Sequence, residues 1–166
     1  MKQITAQLQD KTFRFSAPED WKVHETPLSD RVNMYLRGPL APDGSFHASI
    51  SVRVSPRRLP CLATFATHVS TTRATMPRFR LLAHARTNLA DLEAVQLDLA
   101  HEMPLSLDDA RPSMFAIRER IILAVDDTFE YELCYRAAQI DFEAYLPVFQ
   151  ALVDSWCLLD IDTNLC

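Results

Sequence analysis

Two aromatic clusters bracket this chain. Near its start Phe13, Phe15, Pro18 and Trp21 follow the spacing F-x-F-x-x-P-x-x-W, and near its end stand Phe149, Leu152, Val153 and Trp156. Large aromatics supply much of the apolar area that a small core can bury. Two such clusters at opposite ends of one chain therefore constrain it to bring its first strand against its last helix. Phe13, Phe15, Trp21, Phe149 and Trp156 are read as core anchors.

The sequence between them alternates. Phe46, Ala48, Ile50, Val52 and Val54 fall on one side of a strand, opposite His47, Ser49, Ser51 and Arg53. Val32, Met34 and Leu36 repeat the pattern upstream, and Gly38 and Gly44 flank the Pro-rich turn of a long-tipped hairpin. Leu62, Phe65, Ala66, Val69 and Met76 have helical spacing, which predicts a helix over 61–76 begun by Pro60 and closed by Pro77. Strands are expected over 79–86, 93–102, 113–125 and 128–137. Turns are expected near Asn88 and at Asp126-Asp127, and a polar loop over 104–112. Pro147 is expected to break any helix begun at Asp141, placing the closing helix at 146–157. The tail after Leu159 is polar and expected to fray.

These elements predict an α+β fold, an antiparallel sheet of about six or seven strands with helices on its faces. No repeat, linker or low-complexity tract divides the 166 residues. One domain, 1–166, with an ordered core of about 12–157, is expected. The formal charge of −5 disfavours nonspecific nucleic-acid binding. No apolar run approaches the ~20 residues of a membrane span. The first ten residues lack the apolar stretch of a secretory signal, so a cytoplasmic location is expected. Cys61, Cys134, Cys157 and Cys166 show no C-x-x-C spacing and are expected to be reduced, Cys134 and Cys157 as small buried hydrophobes.

Chemical motifs are scarce. With only two glycines, neither a P-loop nor a dinucleotide fingerprint can be written. The histidines His24, His47, His68, His84 and His101 are scattered one per element, and His101-Glu102 is the nearest approach to a ligand pair. There is no G-x-S-x-G elbow. Cys61 at a helix start could be activated by the helix dipole, although packing as a small side chain is the plainer reading. Asp108-Asp109 and Asp126-Asp127 fall in turns, where aspartate serves backbone hydrogen bonds. No catalytic residue, metal ligand or cofactor is assigned. The faces singled out for a partner are the strand row His47, Ser49, Ser51 and Arg53 and the charged set Arg118, Arg120, Glu130 and Glu132, whose opposite charges would support strand pairing.

The element order, the opening F-x-F-x-x-P-x-x-W and the closing helix ending Ser155-Trp156 resemble one superfamily across Thr12 to Trp156. It contains PsbP-like and DcrB-like bacterial proteins and the Mog-type Ran-binding proteins. Its members usually carry glycine before the tryptophan, where this chain has Asp20. The resemblance implies an α/β/α sandwich and no shared activity. One branch comprises cytoplasmic chaperones that hold the transmembrane segments of type VI secretion effectors. The expectation is thus a non-enzymatic binding or adaptor protein, such as a chaperone of that branch, with a protein partner and room for a homodimer. The alternatives are an enzyme whose site converges from separate elements, or a structural subunit of a complex.

Overall fold

The computed structural model describes residues 1–9, 11–26, 30–104 and 113–160. Among the described residues the chain forms ten strands and two helices, in the order β1 Lys2–Leu8, β2 Lys11–Ala17, β3 Lys22–Glu25, β4 Val32–Leu40, β5 His47–Pro56, α1 Leu62–Arg73, β6 Arg80–Leu89, β7 Leu92–Pro104, β8 Met114–Val125, β9 Phe129–Ala138, α2 Phe142–Asp154 and β10 Cys157–Asp160.

 All strand pairs are antiparallel. Seven strands form the main sheet in the order β3-β4-β5-β9-β8-β7-β6, and β1, β2 and β10 form a smaller sheet with β2 central. The fold is α+β, as the alternating pattern predicts.

Three layers result. The small sheet and α2 cover one face of the main sheet, here called the inner face. Val32, Met34, Leu36, Ile50, Val52, Val54, Tyr131, Leu133 and Tyr135 point into this layer and meet Phe142, Phe149, Leu152 and Trp156. Trp156 stacks on Phe15 at 5.4 Å and on Phe13 at 6.0 Å between ring centroids. The two terminal clusters do meet. On the opposite, outer face, α1 packs Phe65, Ala66 and Val69 on Val95, Leu97, Leu99, Ile121 and Leu123 of β7 and β8. Trp21 closes the inner layer against the backbone of Gly38, where a Cβ would lie 2.5 Å from the indole.

Several boundaries differ from expectation, each for a local reason. Cys61 rather than Pro60 leads into α1, with extended backbone at φ −157°, and the helix ends at Arg73, before Met76. Gly38 and Pro39 lie inside β4, beside a register shift between Arg37 and Leu40, and the turn itself spans 41–46, closed by the bond from Ala41 N–H to the Phe46 carbonyl. The turn expected near Asn88 falls two residues later, at Ala90, whose φ is 50°. Pro147 lies within α2, which runs unbroken from Phe142. Burial of Phe142, Phe149, Leu152 and Val153 on the sheet outweighs the one backbone bond that proline removes, a cost of about 3 kcal/mol. Pairing runs past the expected end of the core at 157, because Cys157–Asp160 pairs with Lys11–Arg14 as β10, and the rest of the tail expected to fray lies outside the described residues. The Asp126 turn is as read: its Oδ1 accepts the N–H groups of Thr128 and Phe129, both at 2.7 Å. Asp108-Asp109, Cys166 and nearly all of the loop expected over 104–112 lie outside the described residues.

Candidate functional site

The outer face is where charge and sequence part company. β8 is apolar on its odd-numbered row, Ile117, Ile121, Leu123 and Val125, and β9 is charged on its even-numbered row, Glu130, Glu132 and Arg136. The short turn between them pairs Val125 with Glu130 and Ile121 with Cys134, so these two rows share one face. Side chains directly opposite in an antiparallel pair point the same way. Register therefore divides the set singled out from the sequence. His47, Ser49, Ser51, Arg53, Glu130 and Glu132 lie on the outer face, where Arg53 is opposite Glu132 and Ser49 is opposite Arg136. Arg118 and Arg120 point to the inner face and do not pair with Glu130 or Glu132. Arg118 bonds Glu143 at 2.7 Å and lies 4.1 Å over the Phe142 ring, and Arg120 makes a two-pronged pair with Asp98, both bonds 2.7 Å. These two arginines secure α2 and β7.

At the centre of the outer face is a buried carboxylate, Glu119. It occupies the odd, otherwise apolar row of β8 and is fully buried. Its Oε1 accepts His101 Nε2–H at 2.9 Å and Arg136 Nε–H at 2.7 Å, and Arg73 Nε approaches Oε2 at 3.1 Å. Burial opposes the charge, but the His101 hydrogen bond and the guanidinium charges of Arg136 and Arg73 prevail and hold the carboxyl at about 2. Cys134 lies 3.8 Å from Glu119 Oε2, and burial, reinforced by that charge, pushes its thiol up to about 12. That thiol is a packed hydrophobe, as expected from sequence. Arg73, the last residue of α1, also reaches Glu132 at 3.6 Å, and Arg53 meets Glu132 from the other side at 3.1 Å. Glu130 receives the backbone N–H groups of Arg58 and Leu59 at 2.8 and 2.7 Å, fixing the segment that leads into α1.

Between α1 and β4–β5 these groups floor a trough of about 430 Å³, with Arg31, Arg53, Arg58 and His68 among its lining and Phe65 and Val69 as its apolar wall. Beyond it the outer face of β3, β4 and β5 carries Asn33, Tyr35, Arg37 and Ser51, while Ser49 on the same row is buried. Neither helix covers it, and Tyr35 is 41% exposed. His47 bonds the Gly38 carbonyl at 3.0 Å and Arg37 Nη2, which anchors the upper end of this face.

Sequence reasoning does not single out Glu119 or Arg73. A glutamate within the apolar row Ile117, Ile121, Leu123 is the signal that could have found the first, because a charge there must be buried and partnered. His101 is a strand-face residue, but it is buried, and the carboxylate it bonds is that of Glu119, while from Glu102 it meets only the backbone carbonyl, at 3.5 Å. Cys61 is exposed rather than packed, and the nearby Thr64 hydroxyl at 3.3 Å lowers its thiol. It shares a hollow of about 840 Å³ with His84, Arg57 and Arg86, without a hydrogen bond to the histidine. Among the described residues no serine or cysteine side chain bonds a histidine ring, and no helix is long and apolar enough to cross a membrane.

The layers and the uncovered outer face define an antiparallel α+β protein of the sheet-with-flanking-helices kind. No family model and no curated protein matches the chain. Solved structures do match its fold. It is similar to LpqN of Mycobacterium tuberculosis, a protein involved in cell envelope biogenesis, with a TM-score of 0.65 at 11% identity over 95% of this chain and 90% of that one. It is also similar to PA94 of Pseudomonas aeruginosa, a protein of unknown function regarded as a candidate regulator, with a TM-score of 0.53 at 13% identity over 89% of this chain and 91% of that one. At such identities the likeness is one of fold alone.

Proposed function

We propose that the protein is a non-enzymatic binding or adaptor protein that engages a protein partner on the outer face of β3, β4 and β5. One observation carries this reading: α1 covers the β7–β8 half of the outer face and leaves the other half bare, an open surface with an aromatic and several arginines. Exposed tyrosine and arginine are the side chains most enriched at the centres of protein interfaces. The polar groups beneath are already paired to one another, so they shape the surface instead of acting on a substrate.

The finer reading follows the resemblance to the PsbP-like, DcrB-like and Mog-type proteins. In it the protein is a cytoplasmic chaperone for a type VI secretion effector and holds the effector's hydrophobic helices. An apolar end of the sheet supports it. There Phe46 packs on Phe115 at 5.8 Å, and Met114 and Ile140 are exposed, Ile140 by 75%. Affinity capture from native lysate, with the double variant Tyr35→Ala/Arg53→Glu alongside, tests both levels. Recovery of a secreted effector bearing hydrophobic helices by the native protein and not by the variant is expected. Equal recovery by both sinks the face assignment, and recovery only of partners lacking such helices sinks the chaperone reading.

The alternative, an enzyme with a convergent site, draws on one observation: the exposed, lowered Cys61 thiol and His84 share a hollow. It requires a base within hydrogen-bond reach of the thiol, and none is bonded to it.

A further inference from the structure

The two edges of the main sheet are built differently. β3 is four residues long, and a short edge offers little for another strand to pair with. β6 is ten residues long, Arg80–Leu89, and among the described residues is hydrogen-bonded on one side only, to β7. It contains no proline, and α1 packs over β7 and β8 without reaching across it. Nearly all its side chains are exposed, Leu81 and Leu82 by 45% each. The outward row of backbone N–H and C=O groups is thus available along most of the strand, apart from a register shift between Leu81 and Ala83.

Charge narrows what can pair there. β6 carries Arg80, His84 and Arg86 and no acidic residue, in a chain whose net charge is −5. Neither arginine has an ion-pair partner among the described residues. A second copy of β6 would bring two further arginines to the same edge, and like charges across a strand pair are destabilising. An acidic strand would instead find a cation on each side of the extended sheet, because Arg80 and Arg86 flank the Leu81–Ala83 shift and point to opposite faces. Arg86 is opposite Val95, an outer-face residue, and Arg80 is opposite Ala100, an inner-face one. On the outer side the new strand would also border the hollow lined by Leu62, Ala63 and Val95.

We propose that the free edge of β6 receives an extended segment of a partner protein, with acidic side chains on both of its faces, as an eighth strand of the main sheet. Backbone hydrogen bonds supply the affinity, and the arginines select acidic side chains. This surface is separate from the open face of β3, β4 and β5, so the two readings stand or fall independently.

The test uses the full chain and a fluorescein-labelled peptide of valine and glutamate, as long as β6 and with glutamates on both faces, with a peptide carrying glutamine in place of each glutamate for comparison. Fluorescence anisotropy should show saturable binding of the acidic peptide, and hydrogen exchange should slow within Arg80–Leu89. Arg80→Glu/Arg86→Glu, both at exposed positions, should weaken binding about tenfold, the effect of removing two favourable cross-strand pairs, with an unchanged melting temperature. Arg14→Glu, at an exposed position of β2, should bind as the native protein does. No binding up to about 1 mM, the weak limit of useful affinity, overturns the proposal. So does equal binding of the glutamine peptide, or protection that falls outside β6. Protection of β6 that grows with protein concentration in the absence of peptide would assign the edge to a second copy and overturn it equally.

Discussion

Glu119 shows how much one residue can commit a fold to. A fully buried carboxylate would ordinarily take up a proton, and this one keeps its charge because His101, Arg136 and Arg73 surround it. Its pKa falls from an ordinary 4.5 to about 2, and a lowered folded-state value means that ionisation favours the folded form. The stabilisation is complete above about pH 4.5 and is lost as pH falls towards 2, amounting to about 3 kcal/mol. Urea unfolding across that range should show the decline, and Glu119→Gln should flatten it while lowering stability near neutral pH by about 3 kcal/mol, since it leaves the half-buried Arg73 and Arg136 without their carboxylate. Gly38→Ala is expected to cost about 1–3 kcal/mol, read in the same way, because the new methyl meets the buried Trp21 ring. Thiol reactivity separates the cysteines: iodoacetamide should label Cys61 rapidly in the folded protein, and Cys134 only after unfolding.

At the scale of elements, α2 departs furthest from what its residues suggest in isolation. Proline inside a helix removes a donor and crowds the preceding turn, a local rule that placed the helix start near Leu146. Tertiary packing of Phe142 overrides that rule, because its ring lies 4.9 Å from Tyr135 and beneath Arg118. Pro147 itself is exposed, so Pro147→Ala should restore a backbone bond with little lost packing and stabilise the protein by about 1 kcal/mol or more. A thermal melt would show it as a higher midpoint. The helix α1 and most strands were legible because their apolar spacing is regular. β1, β3 and β10 were not: each is short or weakly alternating and owes its form to its partner strand, the next one in sequence for β1 and β3 and the distant β2 for β10.

Across the whole molecule, the candidate site was the least legible part. Composition and alternation show which residues of β8 and β9 share a row, but only the turn at Asp126 decides which row meets which. A change of one residue in that register exchanges every side chain between faces. Arg118 and Arg120 illustrate the limit, as sequence alone groups them with Glu130 and Glu132 and the fold puts them on the other side of the sheet. The exposed apolar end belongs to this scale too. Ile140→Asp with Met114→Asp should leave stability within about 0.5 kcal/mol, as for exposed positions generally, while reducing capture of a hydrophobic helix if that end holds one.

The small sheet has a consequence for how the molecule is made. β2 lies between β1, which precedes it, and β10, whose residues lie more than a hundred positions further along. Trp156 must then slide onto Phe13 and Phe15 to complete the inner layer. During synthesis the main sheet can assemble strand by strand, but its inner face stays wet until the last helix and strand emerge. Pairings of such long reach form slowly and leave apolar surface exposed in the interval. The fold's most vulnerable moment is thus the interval before α2 and β10 arrive, when one strand and one indole still separate an open sheet from a sealed core.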